Sequence, residues 1–193
     1  MTHLQLIFLI ALALIFLVQI VRRDLLQRWM TYFFWTTVLL VLAMVAYQSG
    51  EQYFGWLTAP APARYLLPPY APISYYLFYV GTRLWLPYLL SLAFAGIAFL
   101  AAKYLNKRYE ERFFYPEEYY LIALGVFVSG HPWWIGFLII VAVSYVVYAL
   151  TAMLITKEQA RVSFYYLWLP SAIFIILLTP WLQKIPALIM LKL

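Results

Sequence analysis

Two glutamates open the stretch "FFYPEEYYLIALGVFVSG" (113–130), which is otherwise almost wholly apolar. Glu117 and Glu118 admit two kinds of chemistry. Carboxylates in the first turn of a helix after a proline complement the positive end of the helix dipole, and Pro116 is placed for that role. Alternatively, a carboxylate at the edge of an apolar run can be a catalytic acid. The acid Asp24 lies in the basic run "VRRDLLQR" (21–28), where a solvated or paired interfacial role is the simplest reading. Other catalytic inventories are thin. The chain has no Cys and two His, His3 and His131, far apart in sequence. Disulfides, thiolate nucleophiles and Cys-based metal sites are thereby excluded, and the spacing offers no metal or haem site. No cofactor is implied.

The elements that position these acids are membrane-like. Of 193 residues, 67% are hydrophobic and 10% charged, whereas soluble domains are nearer half apolar and a quarter charged. The composition predicts one integral membrane domain, all-α, covering residues 1–193. A spanning helix needs about 17–25 mostly apolar residues. Runs at 4–21, 30–48, 84–105, 134–155 and 164–182 meet that need. The shorter run 117–130 makes a sixth if its flanking Glu and Tyr sit in the interface. The first run has no charged segment before it and no small-residue cleavage site after it, so it reads as a retained span.

Most of the thirteen basic residues fall in three alternate connections: Arg22, Arg23 and Arg28; Lys103, Lys107, Arg108 and Arg112; and Lys157 and Arg161. The positive-inside rule makes that side cytoplasmic and puts both termini outside. A net charge of +6 then reflects helix anchors at anionic lipid, and no basic face is large enough for nucleic acid. The segment 49–72, rich in Pro and aromatics, reads as an external loop. The aromatic segment 73–83 reads as lying along the interface before the third span. Ser91, Ala95, Ala98 and Ala102 form a small-residue stripe suited to close packing within the bundle or against a partner. Arg83 reads as a snorkelling residue, and the hydroxyls of Ser144, Tyr145, Tyr148 and Thr151 as bonding neighbouring helices or carbonyls. "SGHPWW" (129–134) reads as a tight external turn.

Three stretches together resemble the short form of the prepilin peptidase family, intramembrane aspartic proteases that trim leaders from pilin-like precursors. They are "VRRDLLQRWMTYFFWTTVLLVLA", "YPEEYYLIALGVFVSG" and "KEQARVSFYYLWLPSAIFIILL". Asp24-Leu25 matches the start of the family's D-L-R-x-x-x-I-P-N segment, but Leu26 and Trp29-Met30-Thr31 replace the Arg and the Ile-Pro-Asn. In the family's G-x-G-D motif the Gly-x-Gly is Phe114-Tyr115-Pro116 here, and Glu117 holds the Asp position, with Glu118 as backup. Leu121, Ala123, Leu124 and Gly125 match the motif's tail. Arg161-Val162-Ser163-Phe164 resembles the closing segment without its Pro and Gly. The resemblance implies a six-helix bundle in a prokaryotic cytoplasmic membrane, with Asp24 and Glu117 on its cytoplasmic side.

An aspartic protease needs two carboxylates that share one proton. A Glu in place of Asp moves the oxygens by about 1–1.5 Å, and misplacement on that scale costs about 100-fold in rate. Phe, Tyr and Pro also fill space that the glycines leave open. The expectation is therefore a non-catalytic membrane subunit or assembly scaffold on a prepilin-peptidase-like fold, in contact with lipid and a membrane-protein partner. The alternative is an endopeptidase using Asp24 and Glu117 on prepilin-like leaders. A small carrier or channel is a further alternative, for which no span supplies a mid-membrane charge.

Overall fold

A computed structural model describes residues 3–110, 114–156 and 164–184. Glu111, Arg112, Lys157, Glu158 and the Arg161–Ser163 part of the family-like closing segment lie outside the described residues. Seven α-helices follow in order: α1 (His3–Val21), α2 (Arg23–Thr58), α3 (Ile73–Val80), α4 (Leu86–Arg108), α5 (Pro116–Ser129), α6 (Trp134–Thr156) and α7 (Trp168–Leu182). Among the described residues there is no β-strand.

Among the described residues, four helices are long and apolar enough to cross a membrane: Arg23–Thr58, Ile73–Arg108, Trp134–Ile155 and Phe164–Leu182. Leu6–Val21 is a shorter apolar helix. The outward faces remain apolar, with Leu39, Leu100, Leu154 and Ile155 all exposed. Helices that are hydrophobic all round suit a lipid environment, because water would face one continuous apolar surface.

α5 is the axis of the bundle. From Leu121 to Ser129 every residue is buried, as are Glu117 and Glu118. α4, α7, α2 and α6 all pack on it, α4 most extensively. At about 1.5 Å per residue its 14 residues extend only about 21 Å. Enclosure by other helices makes protein, rather than lipid, its solvent. The small-residue stripe on α4 faces inward: Ser91 and Ala95 are 0% exposed and Ala102 is 5%. α2 supplies Leu26, Met30, Phe34, Val38, Val41 and Val45 at helical spacing. Gly125 lets α6 approach, since a Cβ there would run into the Phe137 ring.

Successive long helices alternate in direction. Arg23 and Gln27, at the start of α2, touch Glu117, at the start of α5. Asn106, at the end of α4, bonds Phe114 and Tyr119. This basic end also holds Gln19 of α1, which bonds Tyr165 just before α7. At the opposite, aromatic end, Phe8, Gln48, Leu84, Ser129 and Thr179 line one cavity.

Two sequence expectations need correction. The segment 49–72 is not a loop from its start, because α2 continues through Thr58. Residues 49–58 contain no proline; the breakers begin at Pro60, and Tyr47 supports the extension by donating to Glu51 one turn on at 2.8 Å. A short 3₁₀ turn, Ala63–Leu66, then interrupts the loop. The segment 73–83 does not precede the third span as a separate interfacial piece. It forms α3 and the start of a five-residue π turn, Gly81–Trp85, which leads directly into α4. The Leu86 N–H donates to the Gly81 carbonyl five residues back. Pro87 follows and has no N–H to give, so the wider turn falls where the ordinary ladder would be broken.

The long extensions of α2 and α3 pair beyond the main bundle. Tyr53 and Trp56 pack against Tyr76, with ring centroids 5.3 and 5.8 Å apart. Tyr76 donates to the Ser49 carbonyl at 2.5 Å, and Trp85 Nε1 donates to Ser49 Oγ at 3.1 Å. These aromatic residues thus build a small second core with buried Leu67 and Val80.

Candidate functional site

The basic end contains a buried polar cluster at the head of α5. Tyr115 holds an extended conformation (φ −76°, ψ 155°) and Pro116 begins the helix, so the two glutamates occupy its first turn. The expected helix start is present, but a solvated polar cap is not. Glu117 is 3% exposed and Glu118 is 0%. The reason is tertiary: α2 and α7 close over the first turn of α5 and replace water with side-chain donors.

Glu117 Oε1 accepts from three nitrogens of α2. Gln27 Nε2 lies at 2.9 Å, Arg23 Nη2 at 3.3 Å and Arg23 Nε at 3.4 Å. Arg23 also stacks over two rings, 4.1 Å from the Tyr115 centroid and 4.8 Å from that of Tyr165. One guanidinium therefore joins the start of α2, the start of α5 and the lead-in to α7. Such contact uses both the charge and the flat face of Arg, which Lys cannot reproduce.

Glu118 faces the other way. Its Oε2 accepts from Trp168 Nε1 at 3.3 Å, while its Oε1 is buried without a hydrogen-bond partner. Gln19, also fully buried, donates to the Tyr165 carbonyl at 2.6 Å, and its Oε1 has no partner either. Asn106 closes the turn between α4 and α5: it donates to the Phe114 carbonyl at 2.8 Å and to Tyr119 Oη at 2.6 Å, and accepts from the Phe114 N–H at 2.9 Å.

Asp24 lies at the same end of the bundle as Glu117, yet outside this cluster. It is exposed and lines a separate surface depression with Arg22, Leu25, Arg28 and Trp29. One residue along a helix is a rotation of about 100°. Arg23 and Gln27, one turn apart, turn toward Glu117, and Asp24 is rotated off that face. Glu117 takes its hydrogen bonds from Arg23 and Gln27, and Asp24 makes none with it. Among the described residues, no group of three or more His or acidic residues is placed to hold a metal.

One partner of Glu117 had a sequence signal. Arg23 continues the buried stripe Leu26-Met30-Phe34 at helical spacing, just as Gln19 continues Phe8-Leu12-Ile15 on α1, whereas Gln27 is exposed and carries no such signal. A polar residue that prolongs an apolar stripe is a candidate buried partner. No family model, curated protein or solved structure matches the chain.

Proposed function

We propose that this protein is a non-catalytic integral membrane subunit or assembly scaffold, a six-crossing bundle that resembles a prepilin peptidase whose active-site positions now serve structure. The observation that carries the reading is the divided fate of the two family-like acids. Glu117 is buried and held by Arg23 and Gln27, while Asp24 sits exposed on another face of α2. Two carboxylates that do not meet cannot share a proton across a scissile carbonyl. In support of six crossings, α1 and α5 run between the same two ends as the four longer helices. α5 is short for a lipid-facing span, but its surroundings are other helices. With basic connections inside, both termini face outward and the aromatic end lies outside.

One observation favours a second reading, an aspartic endopeptidase acting on prepilin-like leaders. Glu117 borders a surface cleft of about 280 Å³ with Gln27, Thr31, Pro116 and Tyr120, which sets one family-position carboxylate just beneath an opening to the surface. The deciding experiment pairs a leader-cleavage assay, in membranes co-expressing a prepilin-like precursor, with purification from native membranes. The scaffold reading expects no cleavage above background. It also expects a fixed-stoichiometry complex with another integral membrane protein, retained in Asp24→Asn. Cleavage by the unaltered chain that vanishes in both Asp24→Asn and Glu117→Gln replaces the scaffold with the peptidase.

A further inference from the structure

The aromatic end contains a cavity that the carboxylate cluster does not touch. It has a volume of about 260 Å³ and lies beyond the last turn of α5. Its walls come from α1, α2, the π turn, α4, the α5–α6 turn and α7. A void of this size is near the lower end of small-ligand sites.

Its lining is chemically lopsided. Among the described residues that line it, Arg83 supplies the only permanent charge, and none is a carboxylate. The nearest acid in sequence to the α2 wall, Glu51, lies outside this lining, in an adjoining depression that shares Gln48 and Leu84, where it accepts from Tyr47 at 2.8 Å. Gln48, His131 and Gln183 add three more groups able to donate hydrogen bonds. Among the described residues, none of these four side chains has a hydrogen-bond or ion-pair partner; Arg83 and Gln183 are exposed at the cavity mouth, and Gln48 and His131 are half-buried. His131 Nδ1 is buried from the cavity's open space as well as from bulk solvent, so the other ring nitrogen is the one able to meet an occupant. By contrast, two of the three hydroxyls in the lining are satisfied internally, with Tyr88 the third: Ser129 donates to the Gly125 carbonyl at 2.6 Å and Thr179 to the Ile175 carbonyl at 2.9 Å. The rest of the wall is apolar or aromatic, including Phe8, Tyr88, Trp133 and Ile176. One wall is the π turn itself, a deviation that recurs at functional sites.

We propose that this cavity binds a phosphate-ester anion, with the headgroup of an anionic phospholipid as its occupant. Arg83 pairs with the phosphate oxygens in the fork geometry that guanidinium offers, and His131 and the two glutamine amides complete the shell. The apolar walls receive the first carbons of the glycerol and acyl region. Unlike the snorkelling expected from sequence, this gives Arg83 a shaped site and not merely a headgroup layer. The inference is independent of whether the opposite end is a scaffold or a peptidase.

The test uses full-length protein, delipidated in a neutral detergent and titrated with phosphatidylglycerol, phosphatidylcholine or glycerol 3-phosphate. Bound lipid is counted by native mass spectrometry. The unaltered chain is expected to retain phosphatidylglycerol about tenfold more tightly than phosphatidylcholine. Arg83→Gln is expected to lose about tenfold, as removal of one charged hydrogen-bonding pair implies. Gln48→Leu, at a half-buried wall position, is expected to lose a few-fold and serves if Arg83→Gln does not fold. Arg64→Gln, at the same end but outside the cavity, controls for general surface charge and is expected to bind normally. Equal competition by glycerol 3-phosphate supports the phosphate-ester site and names a soluble source. Binding unchanged in both Arg83→Gln and Gln48→Leu, an equal loss in Arg64→Gln, or no preference for either phosphate ester over phosphatidylcholine overturns the proposal.

Discussion

Breaking the Arg23–Glu117 pair tests whether the first turn of α5 is pinned electrostatically or merely enclosed. The perturbation is a double-mutant cycle: Arg23→Met, Glu117→Gln and both together. At the observed 3.3 Å separation, Coulomb's law gives about 1.3 kcal/mol in a water-like dielectric and about 5 kcal/mol at an effective value near 20. The pair lies between these limits, because its Arg23 side chain is 39% exposed and its Glu117 side chain 2%. We expect a coupling of about 2 kcal/mol, above the 0.2–1 kcal/mol common for exposed pairs. Arg23→Met alone costs about 3 kcal/mol, since it leaves a buried carboxylate unpaired and also removes the stacking on Tyr115 and Tyr165. Glu117→Gln keeps a side-chain oxygen to accept from Gln27 and costs less. The stacking terms are lost from Arg23 whichever residue stands at 117, so to first order they cancel in the cycle. The assay is reversible unfolding in mixed micelles at low salt, repeated at high salt, where solvent access to the guanidinium reduces the coupling. A coupling below about 0.5 kcal/mol at low salt refutes the pin, leaving enclosure alone to hold the turn.

Two further measurements probe the bundle. Gly125→Ala pushes a methyl into the Phe137 ring, which is 0% exposed; overpacking of about 1–3 kcal/mol exceeds the roughly 1 kcal/mol gained in helix propensity, so a net loss in an unfolding assay is expected. Gly96→Ala is the matched control, with open space at its Cβ, and is expected to be neutral or slightly stabilising; equal effects at the two sites contradict the close α5–α6 approach. Because the chain has no native Cys, single cysteines report sidedness directly with a membrane-impermeant maleimide. Asp24→Cys is expected to label only from the cytoplasmic side and Tyr65→Cys only from outside, whereas labelling of both from one side removes the six-crossing topology.

The helices were legible in outline because apolar run length is a local property. α1, α5, α6 and α7 begin and end within a few residues of the expected runs. The misjudged regions were the two where composition misled. Aromatic and glycine-containing segments at 49–58 and 73–83 read as loop and interface, yet each is helical because no proline interrupts it and the other offers rings to pack against. The site was legible only in part. Glu117 and Glu118 announced themselves as acids after a proline, but burial was not visible, since it depends on α2 and α7 closing over them.

By itself, the sequence determined that this is a helical chain with helices long and apolar enough for a membrane, with its basic residues gathered at alternate connections and two acids opening a short apolar helix. Composition and run length are sums over neighbours along the chain, so no folding is needed to read them. Only the tertiary structure decided that Arg23 and Gln27, rather than Asp24, reach Glu117. It also decided that Arg83 and His131 share a cavity with residues nearly the whole chain length apart, from Phe8 to Gln183. Those outcomes depend on how each helix is rotated about its axis. That rotation is set by how the small residues of α4, the stripe of α2 and the bare face at Gly125 interlock around α5.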